Sequence, residues 1–374
     1  MNDIERAIEV LRDLHAALPA ERAVGILLEL AIAASKRLRL EEAEAYYRRA
    51  IARVPTDTPA NLNLSLLDLQ RGRFKDGWPR YEARRPMMPH VPAHPALGEE
   101  PWRVPLNLDG ETVRVVLEQG LGDTLQFIRY LPMLAARVAR VELAAPIHQS
   151  LLPLIRGVPG IAAEVPSADT EPVPKHVVPL LSLPLAFGTE LSSIPADVPY
   201  LAPPEERREK WRARFAETRF VLDTRPRIGV VWSGSAGHGN DRHRSIPVEQ
   251  FRRVMARGDL AFHSLADRLR DGDEAALGGK VAIHEGIEDF ADTAALVEMM
   301  DLVIAVDTSV VHLAGALGRP AWVLLPAHPD WRWLMGRDDS PWYPSLRLFR
   351  QPKHLDWGGV LDNVIAALEE RYPR

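Results

Sequence analysis

Three consecutive polar residues, Asp307, Thr308 and Ser309, stand between an apolar run that reads as a strand (Leu302 to Val306) and one that reads as a short helix (Val310 to Leu317). A carboxylate and two hydroxyls at a strand-to-helix turn suit a diphosphate, because the helix start offers free N–H groups and the positive end of its dipole. The same turn also fits a plain helix cap, with Thr308 or Ser309 supplying the capping oxygen. His312, in the first turns of that helix, is either a hydrogen-bonded packing residue or a group that reaches a phosphate oxygen or a sugar hydroxyl. Upstream, the loop after an expected strand Arg227 to Trp232 runs Ser233-Gly234-Ser235-Ala236-Gly237-His238-Gly239-Asn240-Asp241-Arg242-His243-Arg244-Ser245. Its small residues (Ser233, Gly234) let backbone approach a ligand beside Trp232, and Arg242 and Arg244 are candidates to clamp phosphates.

A second candidate cluster is Glu118-Gln119-Gly120-Leu121-Gly122-Asp123, between an expected strand Thr112 to Leu117 and an expected helix Thr124 to Val138. Gln119, Gly120 and Gly122 form a tight turn, and Asp123 is either the helix N-cap or a general base facing a cleft. A dinucleotide fingerprint fails here, since Gln126 replaces the third glycine and no acidic residue closes the next strand, Val141 to Leu143.

These turns need parallel sheets behind them. Ala321 to Leu325 repeats the continuous apolar pattern of Leu302 to Val306, which predicts strands covered on both faces. Further short strands (Ile161 to Val165, His176 to Leu180, Phe262 to Leu265, Val281 to His284) alternate with helices. Two α/β patterns are joined by a charged helix, Pro204 to Thr218, that lacks a wide apolar face and suits a connector. The loop 179–201 is expected to be an irregular cleft wall. The aromatic-rich stretches 329–333 and 339–344 either stack on a base or sugar or form buried corners. A last helix is expected at Trp357 to Arg371.

Residues 1–85 read differently, as helices throughout. Leu27, Leu30, Ala31, Leu40, Ala43, Tyr47, Ala50 and Pro55 follow tetratricopeptide spacing, echoed about 34 residues on by Leu64, Gly72, Phe74, Gly77 and Tyr81. Leu38 stands where that repeat usually has glycine, and Asn61 where it has a large residue. With a helix expected over Met1 to Leu18, this is a stub that either binds an acceptor protein or packs on the next domain. The Pro-rich stretch Arg85 to Pro105 separates it from the rest.

Composition excludes several classes. Acids outnumber bases 51 to 46, so no global positive field draws nucleic acid. Cysteine is absent, which removes disulfides, thiolate metal sites and cysteine nucleophiles. No run reaches the ~20 apolar residues of a membrane span and the first residues carry charges where a signal peptide would be apolar, so a cytoplasmic location is expected.

Taken in order, EQGLGDTLQFIRYLP, PLLSLPLAFGT, IGVVWSGSAGHGNDRHRSIP, DFADTAALVEMMDLVIAVDTSVVHLAGALGRP and PDWRWLMGRDDSPWYPSLRLFRQ resemble the bacterial tetratricopeptide-linked glycosyltransferases related to the heptosyltransferases of glycosyltransferase family nine. The resemblance runs from about Phe74 to the C-terminus. It implies an α/β chain of GT-B type: a helical segment (1–85), an acceptor-side Rossmann-like domain (86–218) and a donor-side Rossmann-like domain (219–374). It also implies a hexosyl- or heptosyltransferase-like enzyme that uses a nucleotide-sugar donor, with no cofactor and no essential metal. Asp123 matches the family's catalytic base, Asp307 would meet a sugar hydroxyl, and Thr308 and Ser309 would meet phosphate. Two residues depart from the pattern: Ala266 replaces glutamine in the usual Ser-Leu-Gln after Ser264-Leu265, and Ser309 replaces a glycine, so heptose is not implied as the donor sugar. The other readings are a non-catalytic adaptor with a sugar-nucleotide-binding domain, and a nucleotide-sugar hydrolase or epimerase.

Overall fold

A computed structural model describes residues 19–87, 108–145, 147–217 and 223–374. The expected helix Met1 to Leu18 and the Pro-rich stretch beyond Met87 lie outside the described residues. The chain forms two compact units, one made of Met1–Val104, Pro184–Ile194 and His328–Gly336, the other of Pro105–Leu183, Pro195–Ala327 and Arg337–Arg374.

In the first unit, helices Ala20–Lys36, Leu40–Arg53, Thr58–Gln70 and Phe74–Tyr81 follow one another. Leu27, Ala31, Ala43, Tyr47, Ala50 and Leu64, all from the repeating pattern, are buried together. Leu38 takes a left-handed backbone (φ 59°), as does Gly72 at the equivalent place in the next pair (φ 73°). A leucine there bears the strain that a glycine avoids. The aromatic stretch that begins at Pro329 packs here: Trp331 lies edge-on to Trp78 at 5.4 Å, Gln70 Nε2 donates to the Pro329 carbonyl, and Trp78 Nε1 donates to the Thr189 carbonyl. Trp331 is therefore a core residue and not a stacking platform.

The second unit holds two sheets in which every strand pair is parallel. The smaller, ordered β3-β2-β1-β4, comprises β1 (Leu108–Val116), β2 (Val138–Ala144), β3 (Ile161–Val165) and β4 (His176–Pro179). The larger, ordered β10-β9-β8-β5-β6-β7, comprises β5 (Arg227–Val231), β6 (Ala261–Ser264), β7 (Val281–Ala282), β8 (Leu302–Val306), β9 (Ala321–Leu325) and β10 (Leu346–Arg350). All residues of β8 and β9 are buried, as continuous apolar runs require. In each sheet the chain moves outward one way and then returns to the other side of its first strand. The reversal falls between β1 and β4 and between β5 and β8, and the crevices at those strand ends are where open parallel sheets take ligands.

Three expectations are corrected. The helix predicted over Thr124 to Val138 is broken into Leu121–Phe127, a 3₁₀ turn Ile128–Tyr130 and Leu131–Ala135, because Pro132 has no N–H to continue the ladder. Strand β10 is masked in the sequence by the aromatic stretch before it and by its two arginines, Arg347 and Arg350. The charged connector, observed at Glu205–Glu217, is fastened along the second sheet's helix Phe290–Glu298. Trp211 and Phe215, one turn apart, are buried, while Lys210 and Trp211 Nε1 both donate to the buried carboxylate of Asp292.

Beneath that helix, His263 and His284 stack at 5.3 Å, sharing a 3.1 Å hydrogen bond, with Phe215 against the His284 ring. Burial, with His284 and Arg227 adding charge repulsion, pushes His263 down to about 3. Burial and Arg214 push His284 down to about 4. Both rings are neutral when folded and protonate near 6.5 when unfolded, so their contribution is complete above about pH 6.5 and erodes as pH falls toward 4. Each ring adds a slope of about 1.4 kcal/mol per pH unit in that window. Urea denaturation at pH 7, 6, 5 and 4.5 should show this acid loss, and His284→Phe should flatten it. An unchanged slope in His284→Phe would show that the pair does not govern acid stability.

Among the described residues no helix is long and apolar enough to cross a membrane.

Candidate functional site

The first sheet brings Asp123 to the reversal between β1 and β4. Glu118, buried at the end of β1, accepts from the Leu181 N–H just past β4, which ties the two strand ends together. Gly120 is the helix N-cap, and Asp123, three residues on, accepts from the Gly120 N–H at 2.8 Å. Asp123 is thus not itself the cap residue. Its carboxylate is held by a backbone donor while the residue stays partly exposed. The left-handed residue of the turn is Gln119 (φ 60°), whose carbonyl accepts from His148 Nε2 at 2.6 Å. Glycine is needed at position 122 for a different reason: a Cβ there would lie 2.8 Å from His312 Cδ2.

The second sheet brings its candidates to the reversal between β5 and β8. Trp232 is buried and donates Nε1 to Asp273, which fixes the end of β5. Ser233 and Gly234 follow, partly buried, and residues 235–240 are exposed. The Arg244 guanidinium lies so close over Gly234 that a Cβ there would meet Nη2 at 2.5 Å, and its Nη1 donates to the Asp307 carbonyl at 3.0 Å. Arg242 points outward and is exposed. Only Arg244 of the two therefore touches the Asp307 turn.

Thr308 is the N-cap of helix Ser309–Ala316, with extended backbone (φ −141°, ψ 172°), yet its side chain caps nothing. Its Oγ1 is buried without a hydrogen-bond partner. Thr308 thus holds the cap position without supplying the capping oxygen, and a helix start with an unsatisfied hydroxyl suits an anion.

The two turns meet. Helix Leu121–Phe127 packs on helix Ser309–Ala316, with Gly122 against His312. His312 is buried and shares a 3.0 Å hydrogen bond through Nδ1 with the Tyr343 hydroxyl. Gly315 admits the Tyr343 ring, since a Cβ there would come within 2.3 Å of it. Arg129, also buried, sits 4.5 Å from the Tyr200 ring and 4.6 Å from the Tyr343 ring. It donates to the carbonyls of Gln126, Pro195 and Trp342 and to the Tyr200 hydroxyl. Trp342 and Tyr343 are thus buried structural residues. The arrangement packs the helix that carries Asp123 against the helix that follows the Asp307–Ser309 turn, with Gly122 giving the clearance at His312.

No family model matches the chain. Among solved structures, a glycosyl transferase family 9 protein from Veillonella parvula DSM 2008 superposes with a TM-score of 0.52 at 14% identity, over 71% of this chain and 97% of that one. The chain has the fold of a family nine glycosyltransferase. ADP-heptose LPS heptosyltransferase II from E. coli aligns over 69% of this chain and 99% of its own, with a TM-score of 0.47 and 13% identity. Protein FlbA of Caulobacter vibrioides is 27% identical over 392 residues, covering 90% of this chain and 63% of FlbA, so the chain spans less than two thirds of that relative.

Within this family nine fold, sequence reasoning singled out both turns but not their supports. Arg129 and Tyr200 carried no local signal, because an arginine beside aromatics in sequence looks like any surface residue next to a core. Tyr343 stood out only as part of the aromatic stretch 339–344, which forms the buried corner. Asp241, Ser245 and Arg270, which tie the loop after β5, were likewise unassigned. A hint was present in that an acid, a hydroxyl and two arginines share one loop.

Proposed function

We propose that this chain is a glycosyltransferase of GT-B type that moves a sugar from a nucleotide-diphosphate sugar to an acceptor hydroxyl. The observation that carries the reading is the uncapped start of helix Ser309–Ala316, with Thr308 Oγ1 buried and unpartnered, at the reversal between β5 and β8. In this reading the donor's diphosphate lies on the Thr308 and Ser309 amides beside Arg244, with Arg242 available from the outer loop and Asp307 and His312 near the sugar. The acceptor oxygen attacks the anomeric carbon as the bond from that carbon to the phosphate oxygen breaks. Asp123 takes the acceptor's proton, and the nucleoside diphosphate leaves onto the helix start. Gln119, Gly120 and Gly122 shape the acceptor side.

The proposal extends to metal independence, to a cytoplasmic setting and to a protein acceptor docked on tetratricopeptide-like helices. The helical pattern of the first unit supports the last point, since docking there would raise the acceptor's effective concentration at the cleft. The test is incubation with UDP-, GDP- and ADP-sugars, following nucleotide release with and without cell extract, each with and without EDTA. Release that requires extract and survives EDTA is the expected result. Release without extract would make the protein a hydrolase, release abolished by EDTA would overturn metal independence, and silence with all donors would favour an adaptor.

A further inference from the structure

Around the loop after β5, one arginine outside the proposed donor contacts gathers acceptors from both ends of the loop. Arg270, from the segment after β6, uses Nη2 to reach both carboxylate oxygens of Asp241 (2.8 and 2.7 Å), the Gly234 carbonyl (2.8 Å) and Ser245 Oγ (3.2 Å). Ser245 Oγ in turn donates to Asp241 Oδ1 at 2.6 Å and accepts from the Gly234 N–H at 3.0 Å. The two ends of the loop, Gly234 and Ser245, are therefore tied to one ion pair, while residues 235–240 between them are exposed. Arg244, next to Ser245, is pressed onto Gly234 and bonded to the Asp307 carbonyl. Strands β6, β5 and β8 are neighbours, so the contacts run in sequence across three strand ends, from Arg270 through Gly234 and Arg244 to Asp307.

We propose that Asp241 and Arg270 are positioning residues that lock the loop Ser233–Ser245 so that Arg244 is preset for the donor's diphosphate. The inference rests on reading Arg244 and the Asp307–Ser309 turn as the phosphate site. Neither Asp241 nor Arg270 touches the donor. A free loop of this length would have to be ordered at each binding event, and a preset guanidinium removes that cost. The lock therefore acts on donor affinity and leaves the chemical step to other groups.

The test measures binding of ADP, GDP and UDP by calorimetry, and the donor KM and kcat, in Arg270→Ala, Asp241→Asn, the double variant, Arg270→Lys and Arg244→Ala, with thermal unfolding as the control for folding. Asp241→Asn keeps the side chain's shape and removes its charge, so it reports on the lock even where Arg270→Ala loses stability. Each single change at 241 or 270 should weaken diphosphate binding and raise the donor KM by about tenfold, with kcat within about threefold. The double variant should be little worse than either single one, because the two side chains hold the loop through one shared ion pair. Arg270→Lys should recover part of the loss. If Arg244→Ala weakens binding while Arg270→Ala and Asp241→Asn do not, the phosphate site stands and the lock is wrong. If the double variant loses the sum of the single effects, the two residues do not act as a unit and the lock is likewise wrong. If Arg244→Ala also leaves binding of all three diphosphates unchanged, the phosphate site falls and the lock with it.

Discussion

Asp123→Asn should lower turnover by about 10²-fold or more while leaving nucleoside-diphosphate binding within about twofold. The choice of asparagine matters because the Asp123 carboxylate also accepts from the Gly120 N–H. An amide oxygen keeps that bond, so the turn stays folded and only the proton acceptor is lost. Asp123→Ala would mix the two effects, adding about 1 kcal/mol for the lost hydrogen bond from the Gly120 N–H. Single-turnover rates with saturating donor, alongside calorimetric binding, separate chemistry from affinity. Undiminished turnover in Asp123→Asn would remove Asp123 from the mechanism and return the base to another group.

Arg129→Lys is expected to cost about 3 kcal/mol of stability. The guanidinium is buried between two tyrosine rings and serves three carbonyls and a hydroxyl that lie in different directions. An ammonium offers three donors from one point and no flat face to stack, so it leaves several of those buried acceptors unsatisfied. The charge itself is unchanged, which makes the substitution a test of geometry. Urea denaturation at pH 7 should show the loss as a shift in midpoint with the slope unchanged. A loss under about 1 kcal/mol would mean that water or neighbouring donors satisfy those acceptors, and that the junction does not depend on the fork.

Much of this was legible because parallel sheets write themselves as unbroken apolar runs. Leu302–Val306 and Ala321–Leu325 fall on their expected bounds for that reason, and the edge strand Ile161–Val165 and the last helix, Trp357–Arg371, also match theirs although neither is such a run. Asp307, Thr308, Ser309 and Asp123 stood out because polar residues at a turn that ends such a run suit a ligand or a cap. What stayed hidden depends on contacts distant in sequence. Gly122 looked like a turn residue, and only the His312 ring, far along the chain, shows that its missing side chain is a matter of clearance. Gln119, which takes the left-handed backbone, gave no sign of it, since nothing in its chemistry favours that conformation. Arg129 belongs to the same class, its acceptors being spread from Gln126 to Trp342.

The fastening of the two sheets at Gly122–His312 and Arg129 also decides how this unit can move. A hinge needs a place where neighbouring parts can slide or twist without breaking buried bonds, and here the buried bonds sit directly beneath the two turns. Any swing of one sheet against the other must use that point as its fulcrum. Displacement is smallest at a fulcrum and grows with distance from it, so parts far from the Gly122–His312 contact would move most while that contact hardly changes. If the proposed reaction runs here, admission and release would then fall to parts far from that point, the exposed loop 235–240 among them, rather than to the helix contact itself.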